Sequence, residues 1–138
     1  MAGKVIPLFN MREFNYSDLG AAKTQETVMS KALDVSGHTE GVIEVRVHSG
    51  SIGASGAKVE VILTPVAPCA EDPSQDFVVA SGASKVEINS GTAAPILVTA
   101  ALTAGFGGWL QLSVKGTQAT GSPTTMDTVL SAVLVVKE

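Results

Sequence analysis

Apolar and polar residues alternate along most of this chain with the period of a β-strand. Between Gly41 and Ser49, Ile43, Val45 and Val47 alternate with Glu44, Arg46 and His48, the pattern of a strand with one buried and one wetted face. The glycine-rich segment Gly50–Gly56 follows. Over Ala57–Thr64, Val59, Val61 and Leu63 then alternate with Lys58, Glu60 and Thr64. Two such runs around a glycine-rich loop predict a β-hairpin with a long connection.

The same style continues along the chain. Thr27–Val35 places Thr27, Met29, Leu33 and Val35 on one side. Pro65–Asp76 carries three prolines among acidic and small residues and predicts a loop. Phe77–Ala80 and Lys85–Asn89 predict short strands, and Pro95–Leu102 a third, with Pro95 tolerable only as its first residue. Trp109–Lys115 and Met126–Lys137 complete the set on either side of a turn-rich polar loop. The pattern predicts an all-β domain, a two-sheet antiparallel sandwich of about eight strands. A jelly roll or another Greek key fits, with an immunoglobulin-like sandwich as the nearest rival.

The first 25 residues do not share this rhythm. Val5, Ile6, Leu8, Phe9, Phe14 and Tyr16 are apolar but hold neither a helical nor a strand period for long. Residues 1–25 are therefore expected to be an irregular N-terminal arm ahead of a β-sandwich domain spanning 26–138. The arm either folds over its own domain or docks on another subunit. Two later strands carry apolar residues on a second face. In Met126–Lys137, Leu130, Ala132, Leu134 and Val136 line one face, and Val129, Val133 and Val135 line the other. In Trp109–Lys115, Trp109 falls opposite Leu110, Leu112 and Val114. Strands apolar on both faces are either central and covered or part of an interface.

Composition sharpens that last point. Charged residues make up 16% of 138 positions while 45% are hydrophobic, well below the usual quarter of charged residues. A chain with that balance is expected to bury part of its exterior against a neighbour. The net charge of −4, with arginine only at Arg12 and Arg46, argues against a basic nucleic-acid-binding patch. Cys69 is the single cysteine, which rules out an internal disulfide and a disulfide-stapled scaffold. Val5–Phe9 is too short for a signal peptide's apolar region, and the longest apolar run, near Val133–Val136, is too short for a membrane-spanning helix. The expectation is a protein made in a cytoplasm, without membrane or nucleic-acid partners.

Residues able to do chemistry are few and scattered. His38 and His48 have no second ligand at metal-binding spacing. Cys69 sits near Glu71 and Asp72, whose charge disfavours a thiolate. Glu71–Asp76 lacks the glycine punctuation of a calcium loop. Glu44, Glu60, Glu87 and Asp127 fall at outward strand positions with nothing to mark two of them as an acid/base pair. Gly50–Gly56 lacks the Gly-Lys-Ser/Thr and following helix of a phosphate loop. No catalytic residue, metal or cofactor is expected. Trp109 is the one side chain with a binding role open to it, as a sugar platform or an interface anchor.

Three segments together bear a likeness to a known group. The run Gly41-Val42-Ile43-Glu44-Val45-Arg46-Val47, the strand Trp109-Leu110-Gln111-Leu112-Ser113-Val114-Lys115-Gly116, and the Thr/Ser/Gly/Pro loop Thr117–Thr125 before a terminal apolar strand resemble small virion proteins of tailed bacteriophages. Pro65–Asp76 lacks the Trp that many of those proteins carry in such a loop. The resemblance implies a non-enzymatic decoration or cement protein on the capsid exterior. Its partners would be the major capsid protein or other virion subunits, together with further copies of itself. On that reading the partner-binding residues are Val5, Ile6, Leu8, Phe9, Phe14 and Tyr16 of the arm, with Trp109, Val129, Val133 and Val135. A carbohydrate- or surface-binding β-sandwich module is the alternative, with Trp109 and Tyr16 as its platforms.

Overall fold

The structure is a computed structural model that describes residues 4–17, 19, 23–29, 33–35, 37–53, 56–67, 77–78, 83–103, 108–118 and 125–137. Ten strands occur among them and no helix: β1 (Lys4–Asn15), β2 (Thr24–Val28), β3 (Leu33–Asp34), β4 (Glu40–Ile52), β5 (Lys58–Ala67), β6 (Phe77–Val78), β7 (Ser84–Asn89), β8 (Ile96–Ala101), β9 (Trp109–Thr117) and β10 (Met126–Lys137). One sheet has the order β1-β10-β4-β8. In the other, β2 and β3 lie end to end along β9, β9 pairs with β5, and β6 and β7 lie end to end along the far side of β5. Every pairing is antiparallel.

Counting β2 with β3 and β6 with β7 as interrupted single strands leaves eight, four to a sheet. In chain order the sheets then read first-eighth-third-sixth and second-seventh-fourth-fifth. That is the strand order of a jelly roll, in which the chain crosses between sheets at nearly every connection. An immunoglobulin-like sandwich keeps sequential hairpins within each sheet and does not fit.

This topology corrects the hairpin reading of Gly41–Thr64. β4 and β5 belong to different sheets, and the glycine-rich connection bridges the roughly 10 Å between facing layers. Alternation reports which face of a strand is buried; it does not name the strand's partner. The faces themselves follow the pattern. Ile43, Val45 and Val47 of β4 and Leu130, Ala132, Leu134 and Val136 of β10 are buried from one sheet. Val59, Val61 and Leu63 of β5, Val86 and Ile88 of β7, and Leu110, Leu112 and Val114 of β9 meet them from the other. The strand expected over Thr27–Val35 is divided into β2 and β3, and its Val35 is fully buried.

The larger correction concerns the N-terminus. Residues 4–15 are the strand β1 at one edge of the first sheet, not an irregular arm, and Gln25 lies inside β2, so the expected boundary after residue 25 divides nothing. The reason is visible in the register. β1 slips against β10 between Pro7 and Phe9 and again between Phe9 and Arg12. Each bulge shifts the phase of the side chains by one residue, which erases a period-2 signal over so short a run. Phe14 and Tyr16 enter the core. Their rings stack at 6.5 Å, Phe9 meets Phe14 edge-on at 5.3 Å, and the Arg12 guanidinium lies 5.7 Å over the Phe14 ring.

Tyr16 gives this packing a measurable signature. Burial pushes its phenol above the ordinary 10.0, against smaller opposing effects of a hydrogen bond with the Thr27 side chain and the charge of Arg12. The unfolded chain therefore surrenders this proton first, and stability falls as pH rises past 10.0. On the outer face of the second sheet, a hydrogen bond to Glu60 and its charge likewise hold the Lys85 ammonium above 10.5. The stability of that pair is present below 10.5 and is lost as pH rises through the folded value. Lys85 is half exposed, so its share is small after solvent screening. Because Tyr16 is the only tyrosine, tyrosinate absorbance follows it alone. The expected titration midpoint is above 10.0 in the folded protein and returns to that value in urea. Coincident folded and unfolded curves would contradict the burial.

Candidate functional site

The outer face of the β1-β10-β4-β8 sheet is where side chains collect that the fold itself does not use. Register places Val5 of β1 opposite Val135 of β10, Val135 opposite Val42 of β4, and Val42 opposite Ala101 of β8. All four point away from the core, because Ile43 and Leu134 beside them point in. An apolar row thus crosses the full width of the sheet. Val5 is 58% and Val42 41% exposed, Ala101 is exposed, and Val135 is half-buried between its neighbours. The next row, Pro7–Val133–Glu44–Thr99, extends the apolar surface over β1 and β10 before turning polar. At the end of the sheet, Val42, Ala101, Leu102 and Val135 line an open depression of about 320 Å³ between Glu40 and Lys137.

A polar cluster borders this surface. His48 Nε2 is 2.7 Å from Ser131 Oγ, which donates to Asn10 Oδ1 at 3.0 Å and accepts the Met11 N–H at 2.9 Å. A serine beside a histidine raises the possibility of a nucleophile and its base. The proton count argues otherwise. The Ser131 hydrogen goes to Asn10, so His48 is the donor to Ser131 and does not draw its proton away. Met11 has φ +48 at the second β1 bulge, and Ser131 satisfies the N–H that this bulge releases. The cluster fastens β1 to β10. Removing the Ser131 hydroxyl by Ser131→Ala is expected to cost about 1 kcal/mol, read as a lower urea midpoint.

The second sheet's outer face carries ionic pairs. Buried Glu60 meets Lys85 Nζ at 2.8 Å and Lys58 Nζ at 3.6 Å, and Lys58 also reaches Glu87 at 3.9 Å. Glu60 and Glu87 stand opposite each other across β5 and β7, and both carboxylates are paired with lysines. Trp109 lies on this face, 40% exposed, with Asp34 and Val66 as its cross-strand neighbours.

The structure redistributes the expected partner-binding residues. Phe14 and Tyr16 are buried, and Ile6, Leu8 and Phe9 pack against the same core. Of the N-terminal set, Ile6, Leu8 and Phe9 are partly buried, and Val5 is the one side chain that is largely exposed. Val133 and Val135 share the outer apolar surface with it, while Val129 sits in a polar row between Glu13 and Ser49. Val42 and Leu97 went unread in the sequence, although each stands out of phase with its strand's buried set. In β8 the outer phase Leu97–Thr99–Ala101 carries the same kind of signal as β10, whereas in β4 Val42 stands alone on a face otherwise made of Glu44, Arg46 and His48. Among the described residues, no group of three His, Cys, Asp or Glu is placed to hold a metal ion. Cys69 and Glu71–Asp76 lie outside the described residues.

Comparison with known proteins adds no relative: no family model, no curated protein and no solved structure matches this chain.

Proposed function

We propose that this chain is a non-enzymatic structural protein of a bacteriophage-like particle, decorating or cementing the capsid exterior. The observation that carries the reading is the row Val5–Val135–Val42–Ala101 with the adjoining Pro7 and Val133. A contiguous apolar surface on an otherwise finished sandwich is a docking surface for protein. The contact moves from an N-terminal arm to a sheet face, since the arm's aromatics serve the chain's own core. The likeness of Gly41–Val47, Trp109–Gly116 and Thr117–Thr125 to small phage virion proteins supports the particle context. The jelly-roll order is compatible with it as a fold-level analogy. Each copy contributes a modest contact, and repetition over a shell makes the sum large.

The test is quantitative mass spectrometry of gradient-purified particles from cells that make the protein. The chain is expected at a fixed ratio to the shell protein. Val42→Glu, at an exposed position, is expected to lower that ratio about tenfold or more by placing a charge in the contact. Finding the chain only as free protein in cells that do release shells would overturn the reading.

The second reading, a carbohydrate- or surface-binding module, is favoured by the exposure of Trp109 beside Asp34 on the opposite sheet. Tyr16 is not available as a second platform, being buried. Glycan-array binding that disappears in Trp109→Ala would support this alternative.

A further inference from the structure

The four sheet edges are not equally defended against pairing with another chain. β1 contains Pro7 and two bulges, and Lys4, Arg12 and Glu13 along its length are exposed. The edge beside β9 is divided between β2 and β3 and carries exposed Glu26. The edge beside β5 is divided between β6 and β7 and carries exposed Lys85 and Glu87. Interruptions, bulges, prolines and charges are the devices by which proteins keep open edges from pairing. β8 has none of them. Ile96-Leu97-Val98-Thr99-Ala100-Ala101 contains no charge and no proline, and its six residues pair with β4 without a register shift. Ile96 is 44% and Leu97 49% exposed.

The hydrogen-bond phase of this edge is fixed by the Leu102 N–H, which donates to Gly41 O at 2.8 Å. In an antiparallel pair, bonded and non-bonded residues alternate. Ala100, Val98 and Ile96 therefore bond to β4, while the N–H and C=O groups of Leu97, Thr99 and Ala101 point to the open side. No hydrogen bond among the described residues uses those outward groups. The three residues are spaced symmetrically about Thr99, so the edge is complementary to itself.

We propose that β8 pairs antiparallel with β8 of a second copy about a twofold axis at Thr99, joining the two four-stranded sheets into one. Leu97 then faces Ala101 of the other copy, Thr99 faces its own counterpart, and each facing pair exchanges two hydrogen bonds. A twofold contact of this kind closes on itself and does not grow into a fibre. Charge does not oppose it. Across the axis the two Glu44 side chains are separated by three strand spacings, about 14 Å, beyond the Debye length of about 8 Å at physiological salt. The pairing also extends the apolar row through Ala101 to Leu97 of the second copy. It stands apart from the particle reading, because such a dimer forms in solution with or without a shell.

Sedimentation equilibrium of the full chain tests the proposal. The protein is expected to dimerise, and Thr99→Pro to weaken the dimer about a hundredfold or more by removing the central donor from each copy. The β4 ladder does not use that N–H, so the circular dichroism and dilute-solution melting of Thr99→Pro are expected to stay unchanged. Single cysteines in a Cys69→Ser background check the register whether or not the proline variant folds. Thr99→Cys is expected to cross-link copies on mild oxidation, since facing bonded residues have Cα atoms about 5.5 Å apart. Leu97→Cys is expected not to cross-link, its counterpart lying about 14 Å along the strand. A chain that stays monomeric at its highest soluble concentration would overturn the proposal. So would equal cross-linking at the two positions, or a folded Thr99→Pro that dimerises like the parent.

Discussion

Replacing Gly116 with alanine is expected to lower the melting temperature by about 10 °C, corresponding to about 3 kcal/mol. The backbone of Gly116 has an ordinary φ, so the loss does not come from conformational strain. It comes from contact. A Cβ on Gly116 would overlap Cγ and Cδ2 of the Tyr16 ring and lie 2.8 Å from its Cβ. Tyr16 has little room to yield, because Phe14 stacks beside it and its hydroxyl reaches Val114 O at 3.4 Å. β9 lacks a side chain at this point so that the residue following β1 can lie flat across it. The two positions should therefore be strongly non-additive. Tyr16→Ala alone empties a large site and costs about 4 kcal/mol. Adding Gly116→Ala to it should cost far less than in the parent, since the ring that the methyl strikes has gone. Urea unfolding of the three variants supplies the cycle. Simple additivity would mean that the contact does not limit this position.

Leu134→Ala is expected to cost about 3 kcal/mol, whereas Val133→Ala, one residue away on the same strand, should cost about 1 kcal/mol or less. Leu134 is fully buried between Ile6 of β1 and Ile43 of β4, in a site that cannot collapse because both neighbouring strands are fixed by their ladders. Val133 faces outward between Pro7 and Glu44. Urea midpoints with unchanged slopes would show the difference directly. A nearly equal loss in dilute solution would mean that the outer face of β10 is covered as completely as its inner one.

The sequence was most legible where a strand is long and paired on both sides. β4, β5, β9 and β10 meet those conditions, and the residues assigned to their inner faces are the ones that are buried. Legibility failed at β1 for a local reason: two register slips within twelve residues leave no phase to read, so a strand looked like an arm. It failed at the Gly41–Thr64 hairpin for a global one. Which strand pairs with which is decided by how two sheets close around one core, and period-2 alternation carries no information about that. The candidate surface lay between these cases. Val133 and Val135 were marked by apolar residues on both faces of β10. Their alignment with Val5, Val42 and Ala101 exists only once the register of four strands is known.

The placement of β10 between β1 and β4 has a consequence for how the protein comes to be made. The earliest-synthesised strand has no partner in its own sheet until the last one emerges. At ordinary translation rates the intervening chain takes roughly ten seconds to produce. Throughout that interval Phe9, Phe14 and Tyr16 wait without the layer that shelters them, and β4 has only β8 beside it. Closure of this sheet therefore waits for β10, and a nascent chain stalled before Met126 leaves β1 without its partner.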